Sequence, residues 1–245
     1  MKFADLAITP DVVAAFKDKD SKVARFRSLY EKHDFLTAYS LHTDLRMADD
    51  PKWAIGRGDE WESHGKLQLD FLISQGMKSR HRLLDVGCGP GRAARRFVPY
   101  LDAGNYVGAD ISPACLRHAE QLAAHEGWGE KRPVFVLNGD LDLRPISLEE
   151  LTQFDFIWLH SVFTHLPDSQ IELMIANAAK LLPIGGKLLF TYKQAERSTR
   201  SGLKQWQHPV TFFARCASAN HLSCETLSTI WPAHQRTIRL TKFAA

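Results

Sequence analysis

The stretch LLDVGCGPGR, residues 83–92, decides how this chain is read. Leu83, Leu84 and Val86 make a short apolar run of the kind found in a strand buried on both faces. Three glycines follow at alternate positions, Gly87, Gly89 and Gly91, which permit positive φ and let the backbone come within contact distance of a ligand. Beyond them Arg92 to Leu101 has helical spacing, and the first turn of such a helix offers unpaired N–H groups. Strand, glycine turn and helix in this order open a parallel α/β sheet.

Two cofactor classes use a turn of this kind, the nicotinamide or flavin dinucleotides and S-adenosylmethionine. The dinucleotide fingerprint GxGxxG would place glycine at position 92, where this chain has Arg92. Asp85, at the strand end beside the turn, would repel a pyrophosphate but attract an ammonium group or a sulfonium. Such a charge pair at a few ångströms is worth roughly 1–4 kcal/mol, so the sign of the ligand's charge matters. The turn therefore suits a zwitterionic, cationic cofactor. Farther along, VGADIS (107–112) ends a second apolar run at Asp110, whose carboxylate suits the two vicinal hydroxyls of a ribose, and Ile111 offers an apolar face to an adenine. After a third run, LNGDLDL (137–143) presents Asp140 to accept from an adenine amino group and Leu141 to cover the ring's other face.

Outward from this centre, short apolar runs alternate with amphipathic ones. Strands are predicted at Arg82–Val86, Asn105–Ala109, Val134–Leu137, Phe154–Leu159, Lys187–Tyr192, Leu222–Ile230 and Arg236–Lys242. Helices are predicted at Arg92–Leu101, Pro113–His125, Asp168–Leu182 and Val210–Asn220, with Ser112 and Pro113 as a start signal. The last two strands are joined only by WPAHQ, too short for a helical crossover, so they must pair antiparallel. Residues 79–245 are read as this α/β core and residues 1–78 as an N-terminal helical cap. In the cap Val23, Phe26, Leu29, Tyr30 and His33 follow helical spacing, Trp53 and Trp61 stand in a loop broken by Pro51, Gly56 and Gly58, and His64–Gln75 returns to helical spacing.

Composition narrows the partners. With 31 basic and 28 acidic residues the net charge is +3, too balanced for a broad nucleic-acid footprint, so a small molecule is the expected partner. No apolar run approaches the roughly 20 residues of a membrane-spanning helix. Asp5 and Asp11 would interrupt the apolar part of a secretion signal. Cys88, Cys115, Cys216 and Cys224 lack CxxC spacing, which suits reduced thiols and a cytoplasmic protein. The sequence assigns no oligomeric state.

Together these motifs resemble those of the class I S-adenosylmethionine-dependent methyltransferases, in the manner of bacterial small-molecule members. LLDVGCGPGR resembles the family's first motif, VGADIS its second and LNGDL its third. FDFIWLHSVFTHLP (154–167) resembles the fourth, and LLPIGGKLLFTYK (181–193) the fifth-strand signature. The resemblance implies a Rossmann-like seven-stranded sheet of order 3-2-1-4-5-7-6 with strand seven antiparallel, and S-adenosylmethionine as cofactor. It places Asp85, Gly87, Cys88, Gly89 and Gly91 along the methionine part, Asp110 on the ribose, and Asp140 and Leu141 on the adenine. Arg92 meets the methionine carboxylate or stands exposed on a first helical turn.

Methyl transfer to oxygen or nitrogen is an in-line displacement with the nucleophile held roughly 3 Å from the methyl carbon. Its proton needs an acceptor, for which a histidine is suited. His160 and Ser161, at the end of the fourth strand, face either the cofactor or the acceptor, and His160 either closes the cofactor pocket or serves as base. His208 and His42 are further base candidates, and His165 is either a structural or cofactor-side residue or, with Trp53, Trp61 and Trp206, a substrate-binding one. The segment KQAERSTRSGLKQWQH (193–208) is a flexible basic loop, either a flap for an acceptor carboxylate or phosphate or a solvated surface loop. Trp53, Trp61 and Trp206 stack on an aromatic acceptor or pack between cap and core. No HxxxH, HExxH or carboxylate cluster calls for a metal. The expected activity is methylation of a small molecule; the alternatives are an RNA or protein methyltransferase, or a cofactor-binding protein without turnover.

Overall fold

A computed structural model describes residues 19–54, 60–143, 146 and 153–244. The central strands are β1 (Leu83–Val86), β2 (Tyr106–Asp110), β3 (Val134–Leu137), β4 (Phe156–Leu159) and β5 (Lys187–Tyr192), all parallel. A short hairpin, β6 (Thr199–Arg200) with β7 (Trp206–Gln207), precedes a long one, β8 (Leu222–Trp231) with β9 (Gln235–Lys242). The large sheet has the order β3-β2-β1-β4-β5-β9-β8, with β9 antiparallel to both neighbours. Leaving aside the short hairpin, this is the 3-2-1-4-5-7-6 order implied above. The long hairpin pairs one residue farther at each end than its sequence suggested, Trp231 opposite Gln235, so that only three residues turn between them.

Alternation along each strand sorts side chains into two layers. Leu84, Val86, Ile157, Leu159, Leu188 and Phe190 pack beneath α7 (Asp168–Leu181) and α8 (Val210–Ser218). Leu83, Tyr106, Phe156, Trp158 and Leu189 meet α4 (Trp61–Ser74) and α5 (Ala94–Tyr100) on the other face. Because β1, β2 and β4 are buried on both faces, they read as continuous apolar runs. α4, counted with the cap by sequence, contributes Phe71 and Leu72 to the second layer. By packing it belongs with the core. Gly76, at φ +95°, ends the chain's passage out of it.

The cap region holds α1 (Lys19–Lys32), α2 (Phe35–Asp49) and the short α3 (Pro51–Ala54). Asp34 separates the first two by accepting from the N–H groups of Leu36 and Thr37, an N-cap that divides what spacing alone presented as one segment. α2 is fastened over the carboxyl end of β2. Ser40 Oγ donates to the Ile111 carbonyl at 2.9 Å, and Asp44 accepts from the Ser112 hydroxyl and the Ala114 N–H. Ser112 caps α6 (Pro113–His125) through the Cys115 N–H. Among the described residues no helix is long and apolar enough to cross a membrane.

Candidate active site

The carboxyl ends of β1, β2 and β4 open into a cavity of about 330 Å³, walled on its far side by α2 and by Lys193, Lys204 and Gln205. Its floor is acidic. Asp85 and Asp110 are 2% and 7% exposed, and neither forms a salt bridge among the described residues. Asp85 accepts the Tyr106 hydroxyl at 2.9 Å; burial pushes its pKa up to about 7, against the Tyr106 hydrogen bond and the Arg92 charge, which lower it. Asp110 takes the Gly89 N–H on one oxygen and the Ser112 N–H on the other, at 2.8 and 2.9 Å, while burial raises its pKa to about 6. Each carboxylate oxygen has room for a second donor. Two buried carboxylates outside any salt bridge are costly to ionise, and a ligand that brings positive charge and hydrogen-bond donors relieves that cost.

The glycine turn lets that ligand approach. Gly87 sits at φ +75°, and a Cβ there would lie 2.5 Å from Val162 Cγ2. Gly91, at φ +94°, faces Leu122 and Ala119 instead, so it shapes the turn from outside the cavity lining. Arg92 lines the cavity; burial lowers its pKa to about 10, opposed by the charge of Asp85, and its Nε is buried without a partner. Cys88, Ile111 and Leu141 also line the cavity. Asp140 does not: it is exposed, because the backbone turns at Leu141 with φ +56°. Asn138 takes the inward place. It is 1% exposed, its Oδ1 accepts the Leu143 N–H at 3.1 Å, and its Nδ2 has no partner.

The end of β4 supplies a buried polar relay. His160 Nε2 lies 3.2 Å from His64 Nε2 and its Nδ1 lies 3.2 Å from Ser161 Oγ. Gln235 Nε2 donates to Ser161 Oγ at 2.7 Å, and Thr191 Oγ1 donates to Gln235 Oε1 at 2.6 Å. One consistent assignment has Ser161 donating to His160 Nδ1 and His160 donating from Nε2 to His64. Burial holds both imidazoles neutral, with His64 lowered to about 4 and His160 pushed well below the usual histidine range. Ser161 adopts φ +62°, which its N–H bond to Thr191 Oγ1 at 2.7 Å helps to hold. Backbone of this kind in a non-glycine residue is strained and concentrates at functional sites.

The remaining sequence candidates fall on both sides of the cavity wall. His165 lines it, and its Nδ1–H donates to the Lys204 carbonyl at 2.9 Å, which leaves Nε2 as an acceptor. His208 does not reach it: the ring is fully buried between the Asp168 carboxylate at 2.8 Å and the Phe163 carbonyl at 3.2 Å, joining β7 to the core. His42 stacks on Phe26 at 3.8 Å within the cap. Trp61 is buried at the start of α4 rather than in a loop, and Trp206 packs against Arg200; neither lines the cavity. Trp53 falls in α3, with its side chain outside the described residues. Sequence reasoning passed over Tyr39, Arg46, Gln68, Asn138 and Gln235. Gln68 carried a signal, since a glutamine interrupts the buried stripe of Trp61, His64, Phe71 and Leu72; it accepts Trp158 Nε1–H at 2.8 Å.

A seven-stranded sheet of this order, with a glycine turn and two acidic strand ends on one cavity, defines a class of protein, and the comparisons with known proteins agree with it. The family model described as a methyltransferase domain matches residues 84–188. Over these residues the chain is similar to methyltransferase domains, and its sheet has the strand order of the class I S-adenosylmethionine-dependent methyltransferase fold. It is 27% identical over 139 residues to malonyl-[acyl-carrier protein] O-methyltransferase of Legionella pneumophila, across 54% of this chain and 45% of that one. It is also 27% identical over 130 residues to ubiquinone biosynthesis O-methyltransferase of Nitrosococcus oceani, across 51% and 49%. The chain thus spans about half the length of the curated relatives it matches. Among solved structures, magnesium protoporphyrin IX methyltransferase from Synechocystis PCC 6803 with bound SAH superposes with a TM-score of 0.65, covering 85% of this chain and 100% of that one. At 17% identity this is a likeness of fold.

Proposed function

We propose that the cavity holds S-adenosylmethionine and that the chain transfers a methyl group to oxygen or nitrogen of a small-molecule acceptor. The observation that carries this reading is the pair of buried carboxylates, Asp85 and Asp110, neither in a salt bridge among the described residues, across a turn where Gly87 has no space for a Cβ. The residues present fit the cofactor. Asp110 retains an acceptor site on each oxygen for a diol, Asp85 suits an ammonium, and Arg92 suits a carboxylate. Ile111 and Leu141 offer apolar faces for the base, and the orphan Nδ2 of Asn138 offers it a donor. When bound, the cofactor supplies an electrophilic methyl group on a sulfonium.

The chain's own contribution is positioning, exclusion of water and custody of a proton. His160 and His165 are the histidines of the lining, both neutral, and His165 Nε2 is free to accept a hydrogen bond or proton from the acceptor. His160 is braced by His64, Ser161 and Trp231, the last with its ring centroid 4.8 Å away. It is therefore read as a wall of the cofactor pocket. His208, an earlier candidate for the base, is given no chemical role.

An RNA- or protein-facing reading would need Arg25, Arg27, Arg92, Arg95 and Arg96 as one basic surface; of these Arg92 lines the cavity. Two more are paired, Arg95 with Glu62 and Glu126 and Arg96 with Glu62. Calorimetric titration with S-adenosylhomocysteine tests the proposal. Micromolar binding is expected, and no heat at about 1 mM ligand would defeat it.

A further inference from the structure

The cavity's lid is as basic as its floor is acidic. Lys204 is half-buried and lines the cavity, and among the described residues its ammonium makes no hydrogen bond or ion pair. Its Nζ stands over the Tyr39 ring, 4.9 Å from the centroid. Arg46 from α2 and Lys193 from the end of β5 line the same end. All three converge on His165, and their charges join burial in lowering its pKa to about 3. Burial, with Arg46 adding to it, also draws the Lys204 pKa down to about 7. Arg46 has the Asp49 charge beside it, but Lys204 is desolvated next to further cations and an imidazole whose remaining nitrogen can only accept, which is unfavourable for its ammonium. Neither Asp85 nor Asp110 forms a salt bridge with Lys204 among the described residues.

From this juxtaposition we infer that the methyl acceptor carries an anionic group, a carboxylate or a phosphate, that docks on Lys204 with Arg46 and Lys193 around it. The inference rests on the cavity being the methyl-transfer site and adds the chemical class of the acceptor. It fits the apolar remainder of the wall, Tyr39, Val162 and Leu166, which suits a ring or chain bearing the charged group. Lys204 is thereby a specificity-determining residue, and His165 a hydrogen-bonding one beside it.

The test uses the full chain saturated with S-adenosylhomocysteine and titrated with three probes of similar shape: phenylacetate, phenyl phosphate and neutral phenylacetamide. At least one anion is expected to bind about tenfold more tightly than the amide, in line with a charge-assisted hydrogen bond. Whichever anion leads identifies the group. Lys204→Met is expected to bring anion and amide within about twofold, and Lys204→Arg to keep the preference, with S-adenosylhomocysteine affinity unchanged in both. Equal binding of anion and amide to the unaltered chain, a preference that survives Lys204→Met, or no anion binding at about 20 mM would overturn the inference. Should S-adenosylhomocysteine itself fail to bind, the cofactor reading falls. The same titrations of the ligand-free chain then decide the anion site by themselves, and the unaltered chain's anion preference remains decisive if Lys204→Met does not fold.

Discussion

The two walls of the cavity handle buried charge in opposite ways. On the floor, Asp85 and Asp110 each hold hydrogen bonds from fixed donors, the Tyr106 hydroxyl and two backbone N–H groups, so both carboxylates are oriented before any ligand arrives. On the lid, Lys204, Arg46 and Lys193 reach in from α2 and the segment after β5 on long side chains, and Lys204 has an aromatic ring rather than an anion against it. Strand ends provide a rigid reading head, whereas helix and loop provide an adaptable one. A shared cofactor needs the first arrangement and a varied acceptor needs the second.

The sharpest way to break the contrast is at its rigid side. Asp110→Ala removes the acceptor for the Gly89 and Ser112 N–H groups and for a bound diol. S-adenosylhomocysteine affinity should fall about a hundredfold or more, roughly 3 kcal/mol, measured by calorimetry. Undiminished affinity would mean that the ligand does not use this edge. Next in size is Gly87→Ala. Its Cβ would stand 2.5 Å from Val162 at φ +75°, so denaturant unfolding should show a loss of about 2 kcal/mol, and Val162→Ala should restore part of it.

Acidity sharpens the same comparison. Asp85 and Asp110 titrate near 7 and 6 in the folded chain, above the ordinary carboxylate value of 3.8. Because these folded-state pKa values are raised, the folded chain binds more protons than the unfolded one between them and 3.8. Their contribution to ligand-free stability is therefore fully present below pH 3.8 and lost as pH rises through 6 and 7. A cationic ligand wants the ionised form, so its affinity should move the other way, falling about tenfold from pH 8 to pH 6. Asp85→Asn should flatten that profile, and a profile unchanged by the substitution would remove Asp85 from the ligand's contacts. The smallest effect belongs outside the cavity. Arg95→Ala, losing exposed pairs with Glu62 and Glu126, should shift stability by no more than about 0.5 kcal/mol and leave ligand binding alone.

The floor was legible in the sequence because a parallel sheet writes itself as short apolar runs ending in turn residues. LLDV, YVGAD and FIWL needed only their burial on both faces to be recognised, and Asp85, Asp110 and the glycines follow from where those runs stop. Asp140 was chosen for its carboxylate in the turn after β3, whereas the backbone, with positive φ at Leu141, leaves Asp140 exposed and Asn138 inside. The lid was not legible. Tyr39 and Arg46 sit on a helix whose inward face is mixed in polarity, and Lys204 belongs to a basic segment that composition cannot tell from a solvated loop. His208 shows the converse error, since a histidine near the mouth in sequence proved to be a buried tie between Asp168 and Phe163.

The placement of β9 between β5 and β8 has a consequence for assembly. β8 hydrogen-bonds to no other strand of the large sheet, so it has nowhere to attach until the strand that follows it has found β5. β9 must therefore dock on β5 before or together with β8, a pairing more distant along the chain than the hairpin itself. That hairpin also delivers Gln235 to Ser161 and Thr191, and Trp231 to His160. The histidine wall is therefore complete only when this last hairpin is in place beside the five parallel strands.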